Sequence, residues 1–358
     1  MMVKDTLAIV QARMGSTRLP GKVLKKIGDK SMIEILYNRL SPSKYLDKIV
    51  VATTKNRKDD ALCNLLKSVG IPVYRGSEND VLDRFYNCSV KFGYNRIVRI
   101  TGDCPLIDFE IVDNLIESFN ANEVDYVSNI NPPSFPDGLD VEVFSFESLE
   151  KAFQQSIQKF DREHVTPFIR NSSSFSKINY SNSEDFSTER WTVDVPEDLE
   201  VVRNIFDYFA PEVHFSWKKV VNLKKLKPEL FEANQDILRN EGSGMSQGQK
   251  LWRRAKKVIP GGNMFLSKRS EMFLPNLWPS YFEKSKGCKI WDLEGNEYID
   301  MCIMGVGTNI LGYCHQEVDD AISEVISKGN MSTFNCPEEV LLSERLIDMH
   351  PWADMVRM

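Results

Sequence analysis

The densest set of anion-gripping groups in this chain lies near its start, in Gln11-Ala12-Arg13-Met14-Gly15-Ser16-Thr17-Arg18-Leu19-Pro20-Gly21-Lys22. Three cations, two glycines and two hydroxyls share this short stretch. Glycine lets backbone N–H groups turn toward one point, and cations around such a nest neutralise a polyphosphate. The spacing is neither the GxxxxGK[ST] of Walker-type ATPases nor the GxGxxG of dinucleotide binders. A solvated basic loop is the bland alternative. Against it stands the loop's place directly after a strand-like apolar run, where sites form in α/β sheets.

Two carboxylates complement the loop. Asp103 follows the strand-like Ile97-Val98-Arg99-Ile100, and Asp194 follows Arg190-Trp191-Thr192-Val193 and precedes Pro196. Carboxylates at strand ends jointly hold Mg²⁺ while it grips substrate phosphates. Asp194 has a second reading as the cap of a helix over 196–206, since proline is at home in a helix's first turn. Asp140 and Glu142 alternate with Leu139, Val141 and Val143 and so share a strand face, either toward sugar hydroxyls or toward solvent. Arg162 and His164 read as substrate-side groups, with a structural role for His164 equally open. The seven cysteines are scattered without a CxxC pair, and no two of the four histidines are within helical reach. Reduced, mostly buried thiols are expected, and no zinc site.

These groups need a scaffold. Leu7-Ala8-Ile9-Val10, residues 48–53, Val73-Tyr74, 97–100 and Tyr126-Val127 read as strands separated by helical patterns. Ser31 and Glu34 form a capping-box pattern. Residues 59–69 place Leu62, Leu65, Leu66 and Val69 on one face, with Gly70 at the end. Such alternation implies a mostly parallel sheet with helices on both faces. The 358 residues are 42% apolar and 27% charged, with 45 basic against 51 acidic side chains, a net −6. That suits two globular domains and argues against nonspecific nucleic-acid binding. No apolar run reaches the roughly 18 residues of a membrane span. Met1 to Asp5 lead straight into a strand with no signal peptide, so a cytoplasmic location is expected. A boundary falls at 223–247, where Lys-rich sequence leads into Glu241-Gly242-Ser243-Gly244, a flexible linker between domains over 1–222 and 248–358.

The loop motif AxxGSxRxPGK resembles the sugar-activating cytidylyltransferases, which make CMP-linked 3-deoxy-manno-octulosonate or CMP-sialic acid, and most of all their spore-coat polysaccharide branch. Further likenesses follow in order: Arg75-Gly76-Ser77-Glu78-Asn79-Asp80-Val81-Leu82-Asp83-Arg84; Thr101-Gly102-Asp103-Cys104-Pro105-Leu106-Ile107; 136–143; Arg162-Glu163-His164-Val165-Thr166-Pro167; and 192–199. The resemblance spans about residues 4–220. It implies a nucleotidyltransferase-type, GT-A-like fold with a mixed, mostly parallel sheet. It also implies CMP transfer from CTP to a sugar acid with release of pyrophosphate. Nucleotide binding then falls to Ala12, Arg13, Gly15, Ser16, Arg18, Lys22 and Asp103, and catalysis to Lys22, Arg13, Asp103 and Asp194. Asp103 and Asp194 hold Mg²⁺, and Asp140, Glu142, Arg162 and His164 bind substrate. The octulosonate enzymes carry Gln before their Gly-Asp where this chain has Thr101, which leaves the sugar open. UTP or GTP in place of CTP, and a nucleotide-sugar binding module without turnover, also stay open. A homodimer is expected.

From about Ser246 the chain resembles the N-terminal portion of class III pyridoxal-phosphate aminotransferases, a partial fold-type-I segment like that of glutamate-1-semialdehyde aminomutase. Arg254-Ala255, Ile259-Pro260-Gly261-Gly262, 287–300, Gly305, Gly312, His315, Glu344-Arg345-Leu346 and Val356-Arg357 carry it. Trp291-Asp292 and Tyr298-Ile299-Asp300 around Glu294-Gly295-Asn296 read as a hairpin on their own. No motif places Lys268, Lys284 or Lys289 under a pyridoxal phosphate. The segment therefore reads as a truncated aminotransferase without imine chemistry, whose apolar face wants a partner, and pyridoxal phosphate is expected only in a longer form. An alternative reading makes the whole chain a fragment of such an aminotransferase.

Overall fold

The computed structural model describes residues 5–357 apart from 17, 236, 238–245, 275, 276, 304, 306 and 330–332. Thr17 and the expected linker 241–244 lie outside the described residues. The chain divides near residue 241 into two compact units.

The first unit is laid out as β1 (Thr6–Gln11), β2 (Lys26–Ile27), β3 (Lys30–Ser31), α1 (Met32–Leu40), β4 (Lys48–Thr54), α2 (Asp60–Ser68), β5 (Val73–Gly76), α3 (Val81–Phe92), β6 (Arg96–Thr101) and α4 (Phe109–Asn122). It continues through β7 (Tyr126–Ser128), β8 (Glu142–Ser145), α5 (Phe146–Gln155), α6 (Lys159–His164), α7 (Pro167–Asn171), β9 (Lys177–Asn179), α8 (Pro196–Phe209) and α9 (Trp217–Leu226). Seven strands form one sheet in the order β5-β4-β1-β6-β8-β7-β9, and β8 alone runs against its neighbours. The mostly parallel, helix-covered sheet expected from the alternating pattern is the one observed.

Alternation along β1 feeds two cores. Ala8 and Val10 pack with α1, α2, α4 and α8 on one face, and Leu7 and Ile9 pack with α3, α5 and α7 on the other. The helix starts follow local chemistry. Ser31 N–H donates to Glu34 Oε2 at 2.7 Å while Ser31 Oγ receives Glu34 N–H, the capping box read from sequence. Asp80 receives Asp83 N–H at 2.9 Å to open α3. In α2, Leu62 and Leu66 are buried, but Val69, just past the end of the helix, faces solvent.

The linker expected from 223 begins later than the lysines suggest. Leu223 on α9 is buried, and a 3-10 turn over Pro228–Asn234 buries Phe231 and Asn234 against α8. An apolar residue every turn or so carries this stretch back onto the fold despite its charge.

The second unit holds α10 (Gln247–Val258), β10 (Phe282–Lys286), β11 (Lys289–Asp292), β12 (Glu297–Ile299), α11 (Gln316–Lys328) and α12 (Pro337–Met349). The expected hairpin is β11 and β12, antiparallel around Gly295 at φ +82°. No residue of α11 or α12 is buried, and Ile310, Phe334 and Trp352 are all more than 80% exposed. Cys63, Cys88 and Cys104 of the first unit are buried. Cys288, Cys302, Cys314 and Cys336 of the second are exposed, contrary to the expectation of mostly buried thiols. Among the described residues there is no cluster of three or more metal-ligand side chains, and no helix is long and apolar enough to cross a membrane.

Candidate active site

The loop after β1 is tied down at several points. Ala12 N–H donates to Ala52 O on β4, and Met14 N–H donates to the buried Asp59 at 2.7 Å. Leu19 and Val23 plug into the core on either side of the turn. Gly21 stands at φ +65°, a left-handed conformation that side-chain-bearing residues avoid, and so turns Lys22 back toward the sheet.

The end of β6 approaches β1 equally closely. Gly102 N–H donates to Gln11 O at 2.8 Å, and a Cβ on Gly102 would lie 2.9 Å from both Gln11 O and Ala12 Cβ. Only glycine permits that approach, which brings Asp103 beside the loop. Asp103 O in turn receives Val193 N–H at 2.8 Å, so Asp194 is carried to the same place.

The result is a charged knot at the carboxyl edge of the parallel strands. Lys22 Nζ donates to Asp103 Oδ2 at 2.9 Å, Asp194 Oδ1 at 2.8 Å and Val193 O at 2.9 Å. Arg18 Nη2 reaches Asp194 Oδ2 at 2.9 Å. Burial works against the Lys22 ammonium, yet the two carboxylates raise its pKa above the ordinary lysine value. Burial likewise pushes the Asp103 carboxyl up, but Lys22 and a hydrogen bond from Thr101 outweigh it and hold it well below the usual carboxylate range. Lys22 is the cation that lies between the two carboxylates. The sequence reading put Lys22 on phosphates, whereas the structure shows its contacts with the carboxylates.

Asp194 is not the cap of α8. Val195 occupies that position, and Asp198 from the first turn receives the backbone N–H of Asp194 at 2.8 Å and of Val195 at 3.1 Å. The Asp194 carboxylate thereby faces Lys22 and Arg18, with Arg190 Nη2 farther off at 3.6 Å. Arg13, Gly15 and Arg18 are exposed, Ser16 is half-buried and receives Leu19 N–H, and Ala12 is buried under the loop.

The other candidates stand in different surroundings. Glu142 begins β8 buried, not solvated. Its Oε1 receives Tyr126 Oη and Thr166 Oγ1, each at 2.6 Å, and its Oε2 pairs with Arg99 of β6. Arg99, Arg170 and these hydrogen bonds offset the rise that burial imposes and leave its pKa lowered. With both oxygens occupied, Glu142 anchors the sheet to the segment after α6. Asp140 lies just ahead of β8, half-buried. Arg162 on α6 donates to Asp80 at 2.6 Å and to the carbonyls of Phe153 and Ser156, fastening α6 to the start of α3. His164 closes α6 with its ring 4.5 Å from that of Phe160.

Sequence reasoning missed three groups that support the knot: Asp59 under the loop, Arg190, and Asp198 as its partner. Asp59 and Arg190 carried no signal apart from ordinary charge. Asp198 was visible as an acidic residue two positions after Pro196, the place from which a side chain reaches back to the cap.

A cytidylyltransferase family model matches residues 7–237, and a class-III aminotransferase model matches residues 275–358. The spore coat polysaccharide biosynthesis protein SpsF of Bacillus subtilis is 32% identical over 63% of this chain and 97% of its own length. A solved cytidylyltransferase structure from Leptospira borgpetersenii is 34% identical, covers 64% of this chain and 97% of that one, and superposes with a TM-score of 0.62. A 3-deoxy-manno-octulosonate cytidylyltransferase of Fusobacterium nucleatum is 37% identical over 33% of this chain and 47% of its own. For the second unit, a glutamate-1-semialdehyde 2,1-aminomutase of Methanococcoides burtonii is 34% identical over 32% of this chain, which spans only 25% of that protein.

Proposed function

The chain belongs to the cytidylyltransferase family through residues 7–237 and carries a class III aminotransferase segment after it; from the charged knot we propose that it transfers CMP from CTP to a sugar acid, releasing pyrophosphate, in the making of a surface polysaccharide. The observation that carries this reading is the convergence of Lys22, Arg18, Asp103 and Asp194 at the carboxyl ends of β1 and β6. The likeness to spore-coat and octulosonate proteins supports the sugar acid and the polysaccharide context.

In the proposed reaction an acceptor hydroxyl oxygen of the sugar acid forms a bond to the α-phosphorus of CTP and gives up its proton to solvent. The bond from that phosphorus to its bridging oxygen breaks, and pyrophosphate leaves with the electron pair. The chain's contribution is position and charge. Arg13, Arg18 and Lys22 offer cations to the phosphates, and the backbone fixed by Asp59, Gly21 and Gly102 holds the loop ready before substrate arrives. A hard divalent ion such as Mg²⁺ fits the donor set, since one oxygen from each of Asp103 and Asp194 already converges on a single cation, the Lys22 ammonium. When bound there it supplies neutralisation of phosphate charge.

Calorimetric titration with CTP, UTP, GTP and ATP, with and without Mg²⁺, tests this reading on the wild type and Asp103→Asn. CTP-selective binding strengthened by Mg²⁺ and weakened in the variant is the expected result, followed by pyrophosphate release in a screen of sugar acids. Folded protein that binds no nucleotide would overturn it.

A further inference from the structure

Arg84 lies in the first turn of α3, just beyond the carboxyl end of β5 at Gly76. It is 1% exposed, and its Nε and Nη1 are buried without a hydrogen-bond partner. An unpaired buried charge is among the costliest arrangements a fold can hold, and it persists where something else is gained. The chain has made room for it. A Cβ on Gly76 would lie 2.8 Å from Arg84 Cγ and 3.1 Å from its Cβ, so the arginine stem passes where only glycine leaves space.

The surrounding charges do not satisfy the guanidinium. Burial holds its pKa down at about 10, and Arg13 of the loop after β1 pushes the same way, while Asp59, Glu78 and Asp80 oppose them. Each of those carboxylates has hydrogen-bond partners elsewhere. Asp59 receives Met14 N–H and Thr54, Glu78 receives Asn56 Nδ2, and Asp80 receives Asp83 N–H and Arg162. Two guanidinium groups within electrostatic range of each other, one dry and one at the loop, call for an anion rather than a neutral acceptor.

We propose that Arg84 binds a phosphate group of the nucleotide, reaching it from beneath the loop after β1 as Arg13 reaches it from the solvent side. The inference deepens the nucleotide-binding reading above and rests on it. It gives the Arg75–Arg84 stretch a role in the site, with Gly76 admitting the side chain and α3 presenting it.

The test is Arg84→Met, which keeps an unbranched stem against Gly76 and removes the charge, with Arg84→Lys as the charge-retaining companion. Thermal unfolding without ligand should show Arg84→Met at least as stable as wild type, because an unpaired buried cation has been removed. Its CTP dissociation constant should rise ten- to hundredfold, the range expected for a lost charge-assisted hydrogen bond. Arg84→Lys should recover part of that loss. Wild type binding CTP while Arg84→Met binds it within twofold would overturn the proposal; wild type binding no CTP would instead overturn the functional reading beneath it. Cytidine, which has no phosphate, should bind both forms alike, and an equal loss for cytidine and CTP would overturn the assignment to phosphate.

Discussion

Arg190 lays its guanidinium along the Asp198 carboxylate, Nε to Oδ1 at 2.8 Å and Nη2 to Oδ2 at 2.9 Å, with both side chains buried. Asp198 also receives Asn234 Nδ2 at 2.9 Å and the backbone N–H groups of Asp194 and Val195. Five donors on one carboxylate make it the fixed point from which Asp194 projects toward Lys22. Asp198→Asn keeps the shape but leaves Arg190 without its principal counter-charge. Removing one partner of a buried pair typically costs about 3–5 kcal/mol, and a loss of that order is expected in urea unfolding. A change below about 1 kcal/mol would show that Asp137 and Asp194, at 3.4 and 3.6 Å from Arg190, suffice to hold it.

The Lys22–Asp103 pair sets a pH signature. Asp103 has a folded pKa below its unfolded value, so its contribution to stability is present above about pH 4 and is lost as pH falls through the folded value. Lys22 has a raised folded pKa, so its contribution is present below about pH 10.4 and is lost as pH rises beyond it. Between those limits the contribution of the pair should be flat. In Lys22→Met the rise due to burial is no longer offset by the ammonium, and the Asp103 carboxyl moves up. The variant should then be least stable relative to wild type near neutrality and should close the gap toward pH 4. Denaturant midpoints across pH 4–9 decide the matter, and parallel curves would contradict it. Turnover in Lys22→Met should fall by about 10²–10³.

Gly102→Ala tests how closely β6 must approach β1. The new methyl would meet Gln11 O and the Ala12 methyl at 2.9 Å, in residues whose backbone Ala52 and the sheet hold in place. Overpacking of this kind costs about 1–3 kcal/mol, and moving Asp103 by about 1 Å is enough to lower turnover on the order of 10²-fold. A crystal structure of the variant should show Asp103 displaced from Lys22. Unchanged stability and rate would mean the strand ends part freely.

The gathering of the knot was legible in the sequence because Asp103, Asp194 and the loop that carries Arg18 and Lys22 each come after a strand-like run, and strand ends in such a sheet share one edge. Glu142 was not legible. Alternation alone puts it on a face, but that the face is dry depends on the pairing of β8 with β6, which sets Arg99 opposite Glu142. The ion pair of Arg162 was hidden for a related reason, since its partner Asp80 lies 82 positions away in the chain. Lysines at 224, 225 and 227 hid the return of the chain to the fold, because burial there rests on single apolar residues, Leu223 and Phe231. Arg84 and Arg190 look like any surface arginine until their surroundings are known.

That hidden return gives a sharp prediction about where the first unit ends. Phe231 is 4% exposed and Asn234 is 5% exposed, and Asn234 donates to both Arg190 O and Asp198 Oδ1. A chain cut after residue 237 keeps all of these contacts. One cut after residue 227 loses the Phe231 ring, worth about 3–5 kcal/mol when a buried aromatic is removed. It also loses a hydrogen bond to a buried carboxylate, worth about 1.5–3 kcal/mol. The 1–237 chain is expected to unfold cooperatively and to bind CTP with the affinity of the full chain. The 1–227 chain, differing by ten residues that sequence alone assigns to a linker, should unfold at markedly lower urea or fail to fold. Equal midpoints for the two would mean that the 3-10 turn rests on α8 without supporting it. Weaker CTP binding by 1–237 than by the full chain would mean that the aminotransferase-like unit takes part in the nucleotide site.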